Sequence, residues 1–352
     1  MEETAVSLSD IMLRMGDDPF LVVTLLLTLG VIFVNGSTDA PNAIASCIAT
    51  RCLSPRSAIL MSAFFNFLGV FVMTSVFPAV TETVTQSVDF GEDAEITSIA
   101  LSGALVSIVL WALLAWRFGI PTSESHALIA GLSGSAVAAR GGFGGIRFSE
   151  WIKTFEGIVI STLLGLILGF FVYRAVCLTF KPLQRDKADA FFTKAEIFGA
   201  ASMSFMHGAQ DGQKFIGILL LSTCLSSGAF PDTMMIPKWI MALCSAVMAL
   251  GTAVGGKKII RTLGSDMVRL KKHQGFSADI AASLSLLVST VMSLPVSTTH
   301  VKTSSIIGVG SANGLSSVNF SVVKNMALAW LLTFPGCGAI GFLATKIFLF
   351  IF

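Results

Sequence analysis

Residues 35–42 read Asn35-Gly36-Ser37-Thr38-Asp39-Ala40-Pro41-Asn42, and residues 207–214 read His207-Gly208-Ala209-Gln210-Asp211-Gly212-Gln213-Lys214. Each stretch places a glycine, an aspartate and, three positions after the aspartate, a further polar residue next to a long apolar run. A carboxylate at membrane depth costs roughly 2.5–3.5 kcal/mol even on the lenient insertion scale. Two aspartates at matching places therefore indicate a functional site more than a pair of structural helix caps.

The composition is that of a polytopic membrane protein. Of the 352 residues, 54% are hydrophobic and 12% are charged, whereas a soluble domain carries about 25% charged residues. The apolar blocks are long enough for helices of about 20 residues, which favours helices over a barrel. The net charge of +2 is confined to loops and argues against a nucleic-acid partner. The six cysteines lack metal or redox spacing, and the acidic N-terminus is not a cleavable signal peptide.

The apolar blocks predict five membrane elements in each half of the chain. The first half offers residues 20–50, 58–80, 96–116, a short element at 121–139, and 151–178. The second half offers 195–224, 239–254, 278–294, a short element at 295–312, and 323–350. We expect the first element of each half to break, at 36–42 and at 208–214, where polar residues and glycines interrupt the apolar run.

Two different motifs recur at almost one spacing. Asp39 and Asp211 lie 172 positions apart, and His126 and His300 lie 174 positions apart. This offset predicts a duplication, and five elements per half would make the second copy enter the membrane from the opposite side. The fold class predicted is an all-α polytopic membrane protein built from two inverted-topology repeats. The expected division is an extracellular segment at 1–19, repeats at 20–180 and 195–352, and a cytoplasmic linker at 181–194.

The loop charges predict one orientation. The acidic N-terminus and loop 82–95 are expected outside, and the basic loops 51–56, 174–194 and 257–272 inside. Both termini then lie outside a cell (plasma) membrane, provided that each short fourth element crosses it. Arg140 and Arg147 fall on the wrong side for this rule.

A second motif pair begins the short elements, as Pro121-Thr122-Ser123-Glu124-Ser125-His126 and Pro295-Val296-Ser297-Thr298-Thr299-His300. Proline followed by hydroxyl residues is typical of a helix N-terminus, which carries about half a positive charge and free N–H donors. Two such ends meeting near the midplane would suit a tetrahedral oxyanion, either phosphate or sulfate. The histidines are expected to orient the helix starts more than to touch the substrate.

The two aspartate stretches predict a complementary cation site. Unwound backbone carbonyls, the two carboxylates and the Asn42 side chain would form an oxygen cage for a small cation. Because Asp39 and Asp211 would repel a divalent anion, cations or protons must sit between them. This charge argument predicts coupling to Na⁺ or H⁺, with both aspartates as metal ligands if the ion is sodium.

These four motifs resemble the signature of the inorganic phosphate transporter (PiT) family. Residues 207–214 look like the His-Gly-x-Asn-Asp-Gly-Gln-Lys of its bacterial branch, and residues 295–302 look like its Pro-Val-Ser-Thr-Thr-His-Val-Lys. The resemblance spans about residues 20–350 and implies a cation-coupled phosphate symporter that works by alternating access. Four residues depart from the pattern: Thr38 and Gln210 replace an asparagine, Glu124 stands opposite Thr298, and Lys214 opposite Asn42.

The expected site residues form three groups. Phosphate is expected at Ser123, Glu124, Ser125, Ser297, Thr298, Thr299 and Lys214. The coupling cation is expected at Thr38, Asp39, Asn42, Gln210 and Asp211, and His126, His300 and Lys302 are expected to support the site. We expect no cofactor beyond the coupling ion, inorganic phosphate and membrane lipid as partners, and a homodimer as one open oligomeric form.

Three alternatives stay open on the sequence. A sulfate permease differs only in the substrate, since the hydroxyl pattern suits both oxyanions, although Glu124 would favour an anion that can carry a proton. An intramembrane hydrolase using Ser123 or Ser125 with His126 is disfavoured, because an enzyme would not need the pair twice. An anion channel is disfavoured by the buried aspartates.

Overall fold

The computed structural model describes residues 7–16, 19–91, 93–118, 122–227, 236–254 and 267–352. These residues form α-helices and, apart from a single bridge between Val88 and Ile146, no β-structure. The helices are Leu8–Arg14 (α1), Pro19–Thr38 (α2), Pro41–Ala49 (α3), Pro55–Val76 (α4), Ala79–Thr85 (α5), Ala94–Phe118 (α6), Glu124–Arg140 (α7), Phe148–Phe180 (α8), Arg185–Ser227 (α9), Lys238–Val254 (α10), Lys272–Val291 (α11), Thr298–Asn313 (α12) and Phe320–Ile351 (α13).

The predicted membrane elements are confirmed as helices. In the described part of the chain, five are long and apolar enough to cross a bilayer, namely Leu21–Ala49, Pro55–Val76, Ala94–Phe118, Phe148–Phe180 and Phe320–Ile351. Helices α8 and α13 leave large apolar side chains exposed along their length, as at Phe171 and Leu331. The chain is thus a multi-pass membrane protein, with these two helices suited to face lipid.

The first predicted break is confirmed and the second is wrong. Helix α2 ends at Thr38 and α3 begins at Pro41, whereas α9 runs without interruption from Arg185 to Ser227. Pro41 lacks a backbone N–H and cannot continue the hydrogen-bond ladder of α2. The position 172 residues later is Gln213, which has that N–H. Glycines alone weaken a helix by about 1 kcal/mol each, and the packing around α9 overcomes that cost.

Helices of each half of the chain pack against helices of the other half. Helix α7 packs on α13 and α12 packs on α8, so each short helix lies against the last helix of the other half. In the same way, α4 of the first half packs on α9 of the second half, and α10 of the second half packs on α2 of the first half. This arrangement has the approximate two-fold symmetry that a duplication predicts, while the inverted orientation stays a prediction. The predicted division at 181–194 also stays a prediction, with α9 already beginning at Arg185.

Both short helices return to the face at which the preceding helix begins. The loop before α6 meets the loop after α7, where the Asp89 N–H donates to the Gly145 carbonyl at 2.9 Å. In the second half the Asn319 N–H, just before α13, donates to the Met267 carbonyl, just before α11, at 2.9 Å. The end of each short fourth element therefore lies beside the start of the helix before it, and the crossing of the membrane by these elements stays a prediction.

One of the two arginines that contradicted the charge rule has a local partner. Arg140 Nη2 lies 3.0 Å from Asp89 Oδ2 in the acidic loop on the same face. The Gly91 N–H donates to Asp89 and, together with Arg140, holds the pKa of that carboxyl below its ordinary value. Because Asp89 neutralises Arg140, this arginine counts less against the predicted orientation in the membrane than an unpaired arginine would.

Glycine substitutions test how closely α4 of the first half packs on α9 of the second half. A Cβ added at Gly69 would overlap the Phe205 carbonyl, whereas a Cβ added at Gly30 would meet nothing within 4 Å. We expect Gly69→Ala to lower the stability by about 1–3 kcal/mol, as overpacking does, and Gly30→Ala to raise it by up to about 1 kcal/mol, the helix preference of alanine over glycine. Thermal unfolding of the detergent-purified variants measures the difference. Equal melting temperatures would contradict the close crossing.

Candidate functional site

The break between α2 and α3 holds the first pair of site residues. The Asp39 N–H donates to the Asn35 carbonyl at 2.9 Å and completes α2, and Pro41 then starts α3 where its missing N–H costs nothing. Asn42 lies on the first turn of α3, and its amide donates to Asp39 Oδ1. Asp39 and Asn42 are 2% and 1% exposed. The break thus directs a carboxylate and an amide into the protein interior.

The corresponding residues of α9 share one face of an unbroken helix. His207, Asp211 and Lys214 are spaced four and three apart, which places them side by side. Lys214 Nζ lies 2.7 Å from Asp211 Oδ1, and His207 Nε2 lies 3.3 Å from Asp211 Oδ2. All three are at most 1% exposed.

The start of α12 joins the two aspartates. Thr298 Oγ1 lies 3.3 Å from Asp39 Oδ2 and 3.4 Å from Asp211 Oδ2. Thr299 donates to Asp39 Oδ1 and accepts from Asn42 Nδ2 at 2.8 Å. The structure therefore brings the predicted cation residues into contact with two of the predicted phosphate residues, in one buried cluster built from both halves.

Lys214 connects this cluster to the start of α7. Its ammonium donates to Ser125 Oγ and to the Val296 carbonyl, both at 2.6 Å. Ser125 Oγ itself lies 3.3 Å from the Val296 carbonyl. The two hydroxyl-rich helix starts are thus adjacent, and a single cation from α9 lies between them.

Ser123 and Ser297 are the N-caps of the two short helices. Ser123 Oγ accepts from the His126 N–H at 3.2 Å, and Ser297 Oγ accepts from the His300 N–H at 3.3 Å. The sequence predicted both helix starts, although Pro121 lies outside the described residues. The N–H groups of the first turn have no carbonyl of their own helix to pair with, which makes them available to an anion.

His126 and His300 pack beside the cluster. Their ring centroids are 4.4 Å apart, and His300 also lies 3.7 Å from the Trp330 ring centroid. His126 stacks at 4.6 Å on Phe334. The rings therefore pack beside the adjacent helix starts, and their supporting role stays a prediction.

Three further predicted residues have separate partners. Thr38 donates to Glu124 Oε1 at 3.0 Å, which places that carboxyl beside Asp39. The Gln210 amide donates to Thr290 Oγ1 at 3.0 Å and the Leu294 carbonyl at 3.3 Å. Lys302 pairs with Asp279, and Lys302 Nζ lies 3.0 Å from Ser46 Oγ, in a second buried cluster.

Sequence reasoning missed two residues that contact Asp211. Asn35 Nδ2 donates to Asp211 Oδ2 at 3.2 Å, and His207 approaches the same oxygen. Asn35 and His207 occupy the same position of the duplicated stretch, four residues before the aspartate. A polar residue at that spacing in both copies was the signal that would have identified them.

The cluster holds more carboxyl groups than ammonium groups. Asp39, Asp211 and Glu124 are three carboxyl groups, and Lys214 is the one ammonium that contacts them among the described residues. Asn35 Oδ1, Asn42 Oδ1 and Glu124 Oε2 are buried acceptors without a described donor. Asp39, His207 and Asp211 also offer ligand atoms within 4.8 Å of one another. Unpaired oxygens and carboxyl groups without an ammonium partner are what a small cation or a proton requires.

Comparison with known proteins identifies the family. The model of the phosphate transporter family matches residues 35–185 and 179–341, which together span most of the chain. The chain belongs to the phosphate transporter family. The transporter is 35% identical over 338 residues to a probable low-affinity inorganic phosphate transporter of Bacillus subtilis, covering 95% of this chain and 100% of that one.

Other relatives extend the comparison. A protein of the same description from Rhizobium meliloti is 36% identical and covers 92% of the transporter and 94% of its own length. Among solved structures, one described as the sodium-dependent phosphate transporter has a TM-score of 0.85 at 23% identity, covering 95% of this chain and 100% of that chain. That likeness shows the fold. The relatives are transporters and permeases, and the chain is accordingly not an enzyme.

Substitutions of Asp211 and Lys214 test whether these two residues form a buried ion pair. Removing one partner of a buried ion pair leaves an uncompensated charge and costs about 3–5 kcal/mol. We expect Lys214→Met to lower the melting temperature of the purified transporter sharply. The double variant Asp211→Asn with Lys214→Met should recover most of that loss, because no unpaired charge is left behind. A double variant no more stable than Lys214→Met would contradict the pairing.

Proposed function

We propose that the transporter is a cation-coupled symporter of inorganic phosphate that works by alternating access. The observation that carries this proposal is the contact of Thr298 with both Asp39 and Asp211, beside two helix N-termini. Phosphate transport is the property of the family. The coupling, its ion and the residues below are our inference from the geometry.

The charge of the cluster requires a coupled cation. Like charges at close distance inside protein repel far more strongly than in water. A phosphate anion added beside Asp39, Asp211 and Glu124 would be repelled by each of these carboxyl groups when it is ionised, and Lys214 pairs with Asp211 alone. Entry of phosphate therefore becomes favourable when Na⁺ or H⁺ enters with it. Asp39, Asn42 and Asp211 supply the ligands for that cation, and Asn35 adds an unpaired carbonyl oxygen.

The anion side of the site is formed by the two helix starts. The first N–H groups of α7 and α12 point away from their helices, and the hydroxyls of Ser123, Ser125 and Ser297 lie at the same ends. Lys214 contacts both starts and provides the positive charge between them. Thr298 and Thr299 lie at the start of α12, which belongs to the anion side of the site, but their hydroxyls donate to carboxylates. They therefore connect the anion side to the cation side.

Glu124 favours phosphate over sulfate. Its Oε2 is a buried acceptor without a described donor, next to the α7 start. Phosphate near neutral pH carries a hydroxyl that can donate to such an oxygen, whereas sulfate carries none. The sulfate alternative is therefore disfavoured by the site as well as by the family.

Transport requires this closed site to open on each side in turn. Asp39, Asp211, Lys214, Ser125 and Thr298 are each at most 3% exposed. Several contacts that close the cluster join one half to the other, as do those of Lys214 with Ser125, Asn35 with Asp211 and Asn42 with Thr299. Movement of the halves relative to each other would break these contacts and admit substrate.

Replacing either aspartate tests the coupling. We expect Asp39→Asn and Asp211→Asn to abolish gradient-driven accumulation of labelled phosphate in liposomes, because the cation loses its charged ligand. Asp39→Asn should still insert and purify as folded protein, whereas Asp211→Asn leaves Lys214 unpaired and should be less stable, so its uptake is normalised to the folded protein recovered. Imposed Na⁺ and pH gradients, applied separately, identify the driving ion, and added sulfate measures selectivity.

Asp89→Asn is the matched control, because Asp89 lies in an exposed loop and pairs only with Arg140 among the described ion pairs. It should accumulate phosphate at the rate of the unmodified transporter. Normal accumulation by Asp39→Asn would remove Asp39 from the mechanism. Electrogenic phosphate flux without any ion gradient would favour the channel alternative.

A further inference from the structure

A second buried polar cluster lies next to the proposed transport site. Ser46 Oγ is 2.8 Å from both carboxylate oxygens of Asp279 and 3.0 Å from Lys302 Nζ, and Lys302 pairs with Asp279. The Glu196 carboxyl group of α9 lies near Lys302 and Ser46 but accepts no hydrogen bond of ordinary geometry from either. Asp279, Lys302, Ser46 and Glu196 are all 0% exposed. We call these four residues the Glu196 cluster.

Helical spacing places the Glu196 cluster directly beside the first site. Ser46 follows Asn42 by four residues on α3, and Lys302 follows Thr298 by four residues on α12. The Asn42–Thr299 and Ser46–Lys302 contacts therefore join the same two helices at successive turns. A change in the spacing of α3 and α12 would act on both clusters together.

Glu196 has no donor for its carboxyl group. Both of its oxygens are buried and accept no hydrogen bond of ordinary geometry from the described residues. The Ser46 hydroxyl has one hydrogen, which its contacts direct to Asp279. On the opposite side Glu196 packs against Gly275, where an added Cβ would overlap Oε1. An ionised carboxylate buried without a donor is strongly disfavoured, whereas a protonated one is neutral.

The charges near Glu196 balance when its carboxyl group holds one proton. Lys302 approaches from α12, and the thiols of Cys47 and Cys52 approach from α3 and the residues that follow it. Asp279 of α11 lies against Gly199, one turn further along α9. On α9 itself, Asp189 pairs with Lys272. Among these described groups the two carboxyls of the cluster face a single ammonium, which pairs with Asp279. One proton on Glu196 makes the cluster neutral.

A water-accessible cavity lies one helical turn away. Its volume is about 1130 Å³, and it is lined by Thr50, Arg51, Lys181, Asp189 and Phe192 among others. Thr50 donates to the Ser46 carbonyl at 2.9 Å, and Phe192 precedes Glu196 by four residues on α9. Phe192 is buried and lines the cavity on the side of α9. A proton leaving Glu196 would reach this cavity, on the face predicted to be cytoplasmic.

We propose that Glu196 is a proton-binding site of this transporter, and that it takes up and releases one proton in each transport cycle. The proposal rests on the proposed symport and names H⁺ as a coupling ion. Protonated Glu196 is compatible with the packed arrangement described here. When α3 and α12 separate, water and Lys302 reach the carboxyl, and the proton leaves through the cavity. Asp39 and Asp211 keep their separate role beside phosphate.

The test measures protons and phosphate together. The full chain is reconstituted in liposomes that contain a pH-sensitive dye, and uptake of labelled phosphate is recorded with the change in internal pH. We expect Glu196→Gln to lower the ratio of protons to phosphate by about one, because glutamine mimics the protonated acid and cannot release a proton. Ionisation of phosphate itself contributes equally to both proteins, so the difference reports Glu196. Glu150→Gln, a mostly buried glutamate of α8 paired with Lys153, is the matched control and should keep the original ratio.

A second assay separates this proposal from the proposed function. Exchange of labelled for unlabelled phosphate, at equal concentrations and without ion gradients, needs no net proton movement. Absence of exchange by the unmodified protein would overturn phosphate symport itself. Exchange by Glu196→Gln with an unchanged proton ratio would overturn the proton site alone.

Glu196→Asp keeps the test decisive if the glutamine variant does not fold. A carboxyl group one methylene shorter can still bind and release a proton. We therefore expect Glu196→Asp to retain the original proton ratio with a shifted pH profile of uptake. A ratio lowered in Glu196→Asp would indicate a packing role and overturn the proposal.

Discussion

The structure depends on holding two carboxylates in contact with one hydroxyl inside an apolar molecule. Asp39 and Asp211 would repel each other strongly at this depth. Thr298 lies between them, and Lys214, Asn35, Asn42 and Thr299 supply further donors. These donors come from both halves of the chain. The aspartates can therefore lie together only when the halves are packed, and the packed halves stay charged enough to need a cation.

That requirement links binding to conformation. A cation and a phosphate each make the other's entry more favourable, because linkage between two bound ions is reciprocal. Several of the contacts that close the site join opposite halves, so filling the site changes the balance between closed and open arrangements. The Glu196 cluster lies one turn further along the same pair of helices. The same movement of α3 and α12 would therefore also act on the unpaired Glu196 carboxyl group and on the proton that it is proposed to hold.

Much of this arrangement could be predicted from the chain. The long apolar runs predict the helices, and Pro41 explains why α2 ends where it does. The Pro-x-Ser pattern identified both N-caps, although Pro121 itself lies outside the described residues. The break expected at 208–214 was wrong because Gln213 has the backbone N–H that Pro41 lacks. Lys302 was expected at the transport site, but its length and position on α12 bring it to Asp279, one turn away.

The sequence alone determined the membrane class, the duplication and the candidate groups, because apolar length, spacing and hydroxyl-rich helix starts are local properties. Only the tertiary structure decided which groups meet. Thr298 could have faced a phosphate, but the crossing of the halves directs its hydroxyl to two aspartates. Glu196 is an unremarked glutamate in the sequence, and it became a candidate proton site only when folding buried it without a donor. Contacts between residues more than 150 positions apart depend on packing geometry, which no local pattern records.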